Sequence, residues 1–138
     1  MKLLLFLFLL GCTSTQSNCP TYAMSDLIVK INDMRSDQGL EPLSVSENLN
    51  CAASLHAADI GFNRRCDHIG SDATTFAERA ELCDVKVVDQ IIACGPITPE
   101  DALKTWKRKI SIQALTDPDY WLIGCGMHNY YWVCTFSY

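Results

Sequence analysis

Residues 64–83 read RRCDHIGSDATTFAERAELC and gather the side chains most able to do chemistry. His68 stands beside Asp67, Asp72, Glu78 and Glu81 follow, and Cys66 and Cys83 lie near the two ends. An imidazole among carboxylates is the raw material of general acid–base catalysis or of a metal centre. One imidazole alone supplies neither, because a metal needs several converging ligands and a base needs a nucleophile in reach. Ser71 and Thr74 are the nearest hydroxyls, yet Ser71 equally suits a turn or a helix cap. The structural alternative makes His68 a buried hub, hydrogen-bonded to Asp67 or Asp89. His56 falls on an apolar helix face, where packing is the default, and His128 falls at a turn.

The elements that must position these residues follow from periodicity. A start signal at Ser25 or Asp26 opens a helix in which Leu27, Ile28, Ile31 and Met34 recur at helical spacing until Gly39. Pro42–Leu43 reads as extended chain leading into a helix capped by Ser46, with an inner stripe of Leu49, Ala52, Ala53, His56, Ala57 and Ile60. TTFAERAEL gives a short third helix and VKVVDQIIAC a strand. Thr98 caps the helix PEDALKTWKRK, with Pro99 in its first turn. YWLIGCGM and YYWVCTFSY then form a hairpin around His128-Asn129. Helices first and a hairpin last indicate an α+β layered domain over residues 22–138.

The chain has 138 residues, a length that fits one domain. Its net charge of -5 and pI of about 5.0 speak against phosphate-driven binding of nucleic acid. The basic run Lys104–Lys109 reads as the solvated face of a helix. The beginning, MKLLLFLFLLGC, has the form of an export signal over residues 1–11. Leu9-Leu10-Gly11-Cys12 resembles a bacterial lipobox, which would lipidate Cys12 and leave residues 12–21 as a tether. An ordinary secretory cleavage near Ser14 is the other possibility.

The chain carries eight cysteines, none spaced C-x-x-C, which points to disulfides in an oxidising compartment rather than a zinc knuckle or redox pair. Lipidation of Cys12 would leave Cys19, Cys51, Cys66, Cys83, Cys94, Cys125 and Cys134, an odd set with one thiol free or shared between chains. Cys125 and Cys134 lie on the two hairpin arms and could bridge them, and Cys66 and Cys83 act as clamps of the His68 loop. The full connectivity does not follow from spacing.

Filled with these residues, the order of elements resembles the CAP superfamily of cysteine-rich secretory, antigen 5 and pathogenesis-related proteins, and its short bacterial exported members most. Asn32, Arg35, Gly39, Leu40, Pro42 and Leu43 match N-x-x-R-x-x-x-G-L-x-P-L. Leu49, Ala52, Ala53, His56, Ala57, Asp59 and Ile60 match the second-helix motif L-x-x-A-A-x-x-H-A-x-D-M. His68, Gly70, Ser71 and Asp72 match H-x-G-S-D, Phe76 and Arg79 match F-x-x-R, and Trp106 matches a later helix. Ile123-Gly124, Gly126 and Tyr131-Trp132-Val133 match the final hairpin.

The resemblance implies a three-layer α-β-α sandwich with a central antiparallel sheet, reinforced by disulfides. It also implies a cleft where many members hold two histidines and two acidic residues able to bind a divalent metal. Here His68 keeps the first histidine position, but Ile112 or Gln113 stands at the second. Asp89 replaces a longer glutamate, and Glu78 is the nearest candidate for the other acid. No metal or other cofactor is therefore expected.

The expected function is an exported, non-enzymatic binding protein of the cell envelope, an outer-membrane or cell-surface lipoprotein. Its ligand would be a lipid, peptide or protein, and it would touch a membrane only through the N-terminal lipid. The alternatives are a hydrolase using His68 with Asp89 or Glu78, and a secreted, disulfide-stapled interaction module.

Overall fold

The chain folds, in a computed structural model that describes residues 20–138, around a sheet clasped between two helical layers. The elements run α1 (Pro20–Asp37), β1 (Ser44–Val45), α2 (Glu47–Asn63), α3 (Phe76–Leu82), β2 (Asp89–Cys94), α4 (Pro99–Lys107), α5 (Ile112–Leu115), β3 (Leu122–His128) and β4 (Tyr131–Ser137). The export segment, the tether up to Cys19, and Cys12 lie outside the described residues.

Helix α1 begins at Pro20 rather than at Ser25, since proline is well suited to a first turn where its missing N–H costs nothing. It stops before Gly39, whose φ of +74° belongs to the left-handed region. Helix α2 is capped by Ser46, whose Oγ accepts the Leu49 N–H at 3.2 Å. Thr75 and Glu78 form a reciprocal capping box at the start of α3. Thr98 caps α4, with Pro99 opening its first turn. All six residues expected on the inner stripe of α2 are buried.

The strand order is β1-β3-β4-β2. The three long strands are antiparallel, as expected, while the two-residue β1 pairs parallel with Leu122 and Ile123, so the sheet is mixed. The hairpin turns at Asn129 and Tyr130, both at positive φ, one residue later than the sequence suggests. Alternation then sorts the core. Ile91, Ile123, Trp132 and Phe136 pack with Leu27, Ile31 and Trp106 against α1 and α4. On the other face Val133 and Ile92 meet Ala53, Ala57 and Ile60 of α2.

The alanines of α2 and the glycines of β3 let helix and strand approach closely. A Cβ at Gly124 would lie 2.1 Å from the Leu49 carbonyl carbon, and one at Gly126 would lie 2.6 Å from Ser54 Cα. Trp106 and Trp132 are core residues, but Trp121 is 58% exposed.

Two further matched residues turn out to stitch the backbone together. Asn32 exchanges both of its amide groups with the main chain of Leu43. Arg35, fully buried, donates to the carbonyls of Glu41, Leu115 and Asp117, so main-chain dipoles meet its charge, with the Asp117 carboxylate adding a favourable attraction.

All six described cysteines are paired. Cys51–Cys83 joins α2 to the end of α3, Cys66–Cys94 joins the His68 loop to the end of β2, and Cys125–Cys134 crosses the hairpin. Cys66 and Cys83 do clamp the loop, each to a different element rather than to one another.

Candidate functional site

The loop between α2 and α3 is held from beneath by one arginine. Arg79 is 6% exposed, and its guanidinium donates to Thr74 O at 2.6 Å, to His68 O at 2.9 Å and to Gln90 Oε1 at 3.2 Å. Burial is the main influence lowering its pKa, which nearby Asp72, Asp59 and Glu78 oppose. Because a guanidinium only donates, the Gln90 oxygen must face Arg79 and its NH2 must face His68 Nδ1, 3.1 Å away. His68 Nδ1 is therefore an acceptor, and the proton of the neutral ring sits on Nε2.

His68 is exposed and bonded to Gln90, which corrects the expectation of a buried hub paired to Asp67 or Asp89. A short carboxylate nearby does not win the imidazole when Arg79 has already oriented an amide toward it. Asp67 instead pairs with Arg65 and with the Ile69 amide.

His68 opens onto a cleft of about 410 Å³, lined also by Phe76, Asp89, Ile91, Ile110, Ser111 and Gln113. Asp89 accepts the Tyr120 hydroxyl at 3.0 Å on one oxygen and the Gln90 N–H at 2.8 Å on the other. That bond and burial together push the Tyr120 hydroxyl well above its ordinary pKa, burial being the larger cause. His68 and Asp89 thus share one cleft without a hydrogen bond between them.

Gln113, at the start of α5, lines this cleft, whereas Ile112 packs toward the core. Of the two residues, Gln113 is the one that faces the same cleft as His68. Glu78 is not in the cleft: its carboxylate completes the α3 cap, accepting the Thr75 N–H at 2.8 Å. Neither hydroxyl near His68 is aimed at it. Ser71 Oγ donates to Asp59 at 2.5 Å and Thr74 Oγ1 to Asp72 at 2.6 Å.

This donor set does not fit a divalent metal. A ligating imidazole donates from its second nitrogen to an acceptor, leaving the first lone pair for the metal. Here Gln90 donates to that second nitrogen and so places the proton on the remaining one. Among the described residues, no group of three or more His, Cys, Asp or Glu could hold a metal ion.

Behind the loop, fully buried His56 donates from Nε2 to the Asp67 carbonyl at 2.8 Å, while Nδ1 is buried without a hydrogen-bond partner. Burial first, and the Arg79 guanidinium next, hold this imidazole below its ordinary pKa against the pull of the Asp67 carbonyl. The unfolded chain therefore takes up the proton first. Stability present above about pH 6.5 is lost as the pH falls from there toward the lower folded value.

Denaturation in urea at about pH 7.5 and pH 5 should show the lower stability at the acid value, and His56→Gln should remove most of the difference. An unchanged slope in His56→Gln would move the effect to another group. Asp59, Asp67 and Asp72 are also held below their ordinary values. Burial raises Asp59 but the Ser71 hydrogen bonds outweigh it, the Ile69 amide leads for Asp67, and the Thr74 hydroxyl leads for Asp72. Depressed carboxylates lose their contribution only below about pH 4, outside the histidine window.

Reading the sequence picked out His68 and Asp89 but not the residues that decide their state. Arg79 lay within a matched motif and Gln90 next to Asp89, and only their packing forms a donor chain to His68. Tyr120, 31 positions from Asp89, gave no sequence signal.

A family model described as the cysteine-rich secretory protein family, CAP, matches residues 29–136. No curated protein matches the chain. Among solved structures, an extracellular protein containing an SCP domain from Bacillus anthracis aligns with a TM-score of 0.81 at 19% identity, covering 85% of this chain and 40% of that one. An outer surface protein from Borrelia burgdorferi aligns with a TM-score of 0.75 at 23% identity, covering 86% of this chain and 93% of that one. A cysteine-rich secretory protein from Staphylococcus aureus gives 0.74 at 18% identity, covering 88% and 40%. The chain thus spans about 40% of the length of the Bacillus and Staphylococcus proteins.

Proposed function

The chain belongs to the cysteine-rich secretory protein family, and from that premise we propose that it is an exported binding protein whose cleft receives a ligand without transforming it. The observation that carries this reading is the engagement of the cleft's reactive groups by the protein itself. His68 Nδ1 is taken by Gln90, Asp89 is bonded to Tyr120, and glutamine stands where a second imidazole would be needed. What the cleft offers is an apolar wall of Phe76, Ile91 and Ile110 facing a few polar groups, the usual composition of a small-molecule site. A lipid or peptide with an apolar body and one N–H donor toward Asp89 suits it.

The hydrophobic leader and the Leu9-Leu10-Gly11-Cys12 sequence support export and a lipid anchor on Cys12 at the cell envelope. The similarity in fold to an outer surface protein, over nearly the full length of both chains, agrees with that address.

Purified full chain should hydrolyse neither labelled casein nor p-nitrophenyl butyrate above the level of His68→Ala, with or without zinc. Metal-dependent hydrolysis that His68→Ala abolishes would replace this reading with the hydrolase one. Envelope material retained by the wild type should be lost from Gln113→Trp, which fills the cleft at an exposed position. Intact mass of the exported protein reports the lipid: an unlipidated mature form would leave a freely secreted module instead.

A further inference from the structure

The sheet ends on an edge that its own short strand only half covers. Strand β1 meets β3 at Leu122 and Ile123 and then turns into α2, while β3 continues to His128. The direction of the backbone groups along this edge is fixed by two bonds. Ser46 N–H donates outward-facing Ile123 O a bond of 3.0 Å, and Cys125 N–H donates to Asn50 Oδ1 at 2.9 Å. Alternation along the strand therefore aims the Cys125 carbonyl and both backbone groups of Met127 to the same side, where no strand of the described residues pairs with them.

This open edge is the floor of a groove of about 510 Å³ running between α1 and α2. Met24, Ile28 and Val29, with Ser25 among them, make the α1 wall mainly apolar, and Glu47, Asn50 and Ser54 of α2 make the other polar. Val29 is 56% exposed. Glu47 has no cationic partner among the described residues.

We propose that this groove takes an extended segment of a partner polypeptide, added to the sheet beside β3 as a continuation of the line of β1. The occupant is identified by its chemistry. An N–H and a C=O from one residue, lying in the plane of a sheet, are satisfied together by another extended backbone. The two walls ask for side chains that alternate, apolar toward Val29 and polar toward α2, with a basic residue near Glu47. A second copy is a poorer occupant, because each chain carries a net charge of -5 and would set its own Glu47 against the other. The site is separate from the His68 cleft and does not depend on how that cleft is used.

The probe is the synthetic heptapeptide Lys-Val-Thr-Val-Thr-Val-Lys, titrated into the full chain with backbone amide exchange followed by NMR. Bound peptide should slow exchange of the Met127 amide about tenfold or more, a change of roughly 1.4 kcal/mol in local opening. The same peptide with proline at its central valine should have no effect, since it lacks an N–H there and cannot complete the ladder. Val29→Asp and Glu47→Lys, both at exposed positions, should each weaken binding about fivefold.

Three results would overturn the proposal. One is a Met127 amide that exchanges equally fast with saturating peptide. Another is an amide already protected at every dilution without peptide, which would mean that the chain covers its own edge. The third is protection that grows with protein concentration alone, which would make the occupant a second copy.

Discussion

Gly124→Ala is expected to lower the unfolding free energy by about 3 kcal/mol or more, the upper range for forcing volume into a packed interior. The added methyl would meet the main chain of α2, with Leu49 C at 2.1 Å and Asn50 N at 2.2 Å, and a helix backbone cannot step aside as a side chain can. Relief requires α2 to lift from β3, which would open the packing of Ala53, Ala57 and Ile60 on Val133 and draw on the Cys125–Asn50 bond at the edge. Gly39→Ala is the matched comparison. Nothing lies within 4 Å of its new methyl, so only the φ of +74° opposes it, at about 1–2 kcal/mol. Urea titration of both variants checks the ranking. A Gly124→Ala protein as stable as Gly39→Ala would show that α2 and β3 are not in the close contact described.

Arg79→Met should cost about 3 kcal/mol, because three neutral acceptors lose their donor and each one left buried and unsatisfied costs roughly 1–3 kcal/mol. Methionine keeps the apolar stem but abandons the part-buried carbonyls of His68 and Thr74 and the buried Gln90 oxygen, the last of which is poorly placed to find water. The loss should be felt first in the His68 loop. With its oxygen released, Gln90 is free to turn, so the ring nitrogens of His68 should shift in NMR away from the pattern of a protonated Nε2 with an accepting Nδ1. Arg79→Lys should restore only part of the stability, because one ammonium cannot span acceptors that a planar fork reaches together. A variant within 1 kcal/mol of wild type, with an unchanged His68 signal, would remove Arg79 from its role as holder of the site.

The two substitutions also mark the limits of sequence reasoning here. Apolar periodicity identified the inner face of α2 correctly because packing a helix on a sheet demands that stripe. The caps at Ser46 and Thr98 were readable because they rest on contacts three residues apart. The start of α1 at Pro20 was missed because a stronger local signal at Ser25 competed with it. The two-residue β1 had no periodicity to show, and its pairing with β3 depends on residues nearly 80 positions away.

The site divides in the same way. Residue types at matched positions raise the expectation of an altered cleft, with one imidazole at His68, a shorter acid at Asp89, and Ile112 or Gln113 in place of the other histidine. Which of those two faces the cleft was settled only when the short turn of α5 sent Ile112 to the core and Gln113 outward. The partners of His68 followed the same rule. Asp67 is adjacent in sequence, yet the imidazole belongs to Gln90, because Arg79 reaches across from α3 and orients that amide. A sequence lists which groups could bond. The partner a group takes depends on the direction of every neighbouring donor and acceptor, and those directions exist only in the packed fold.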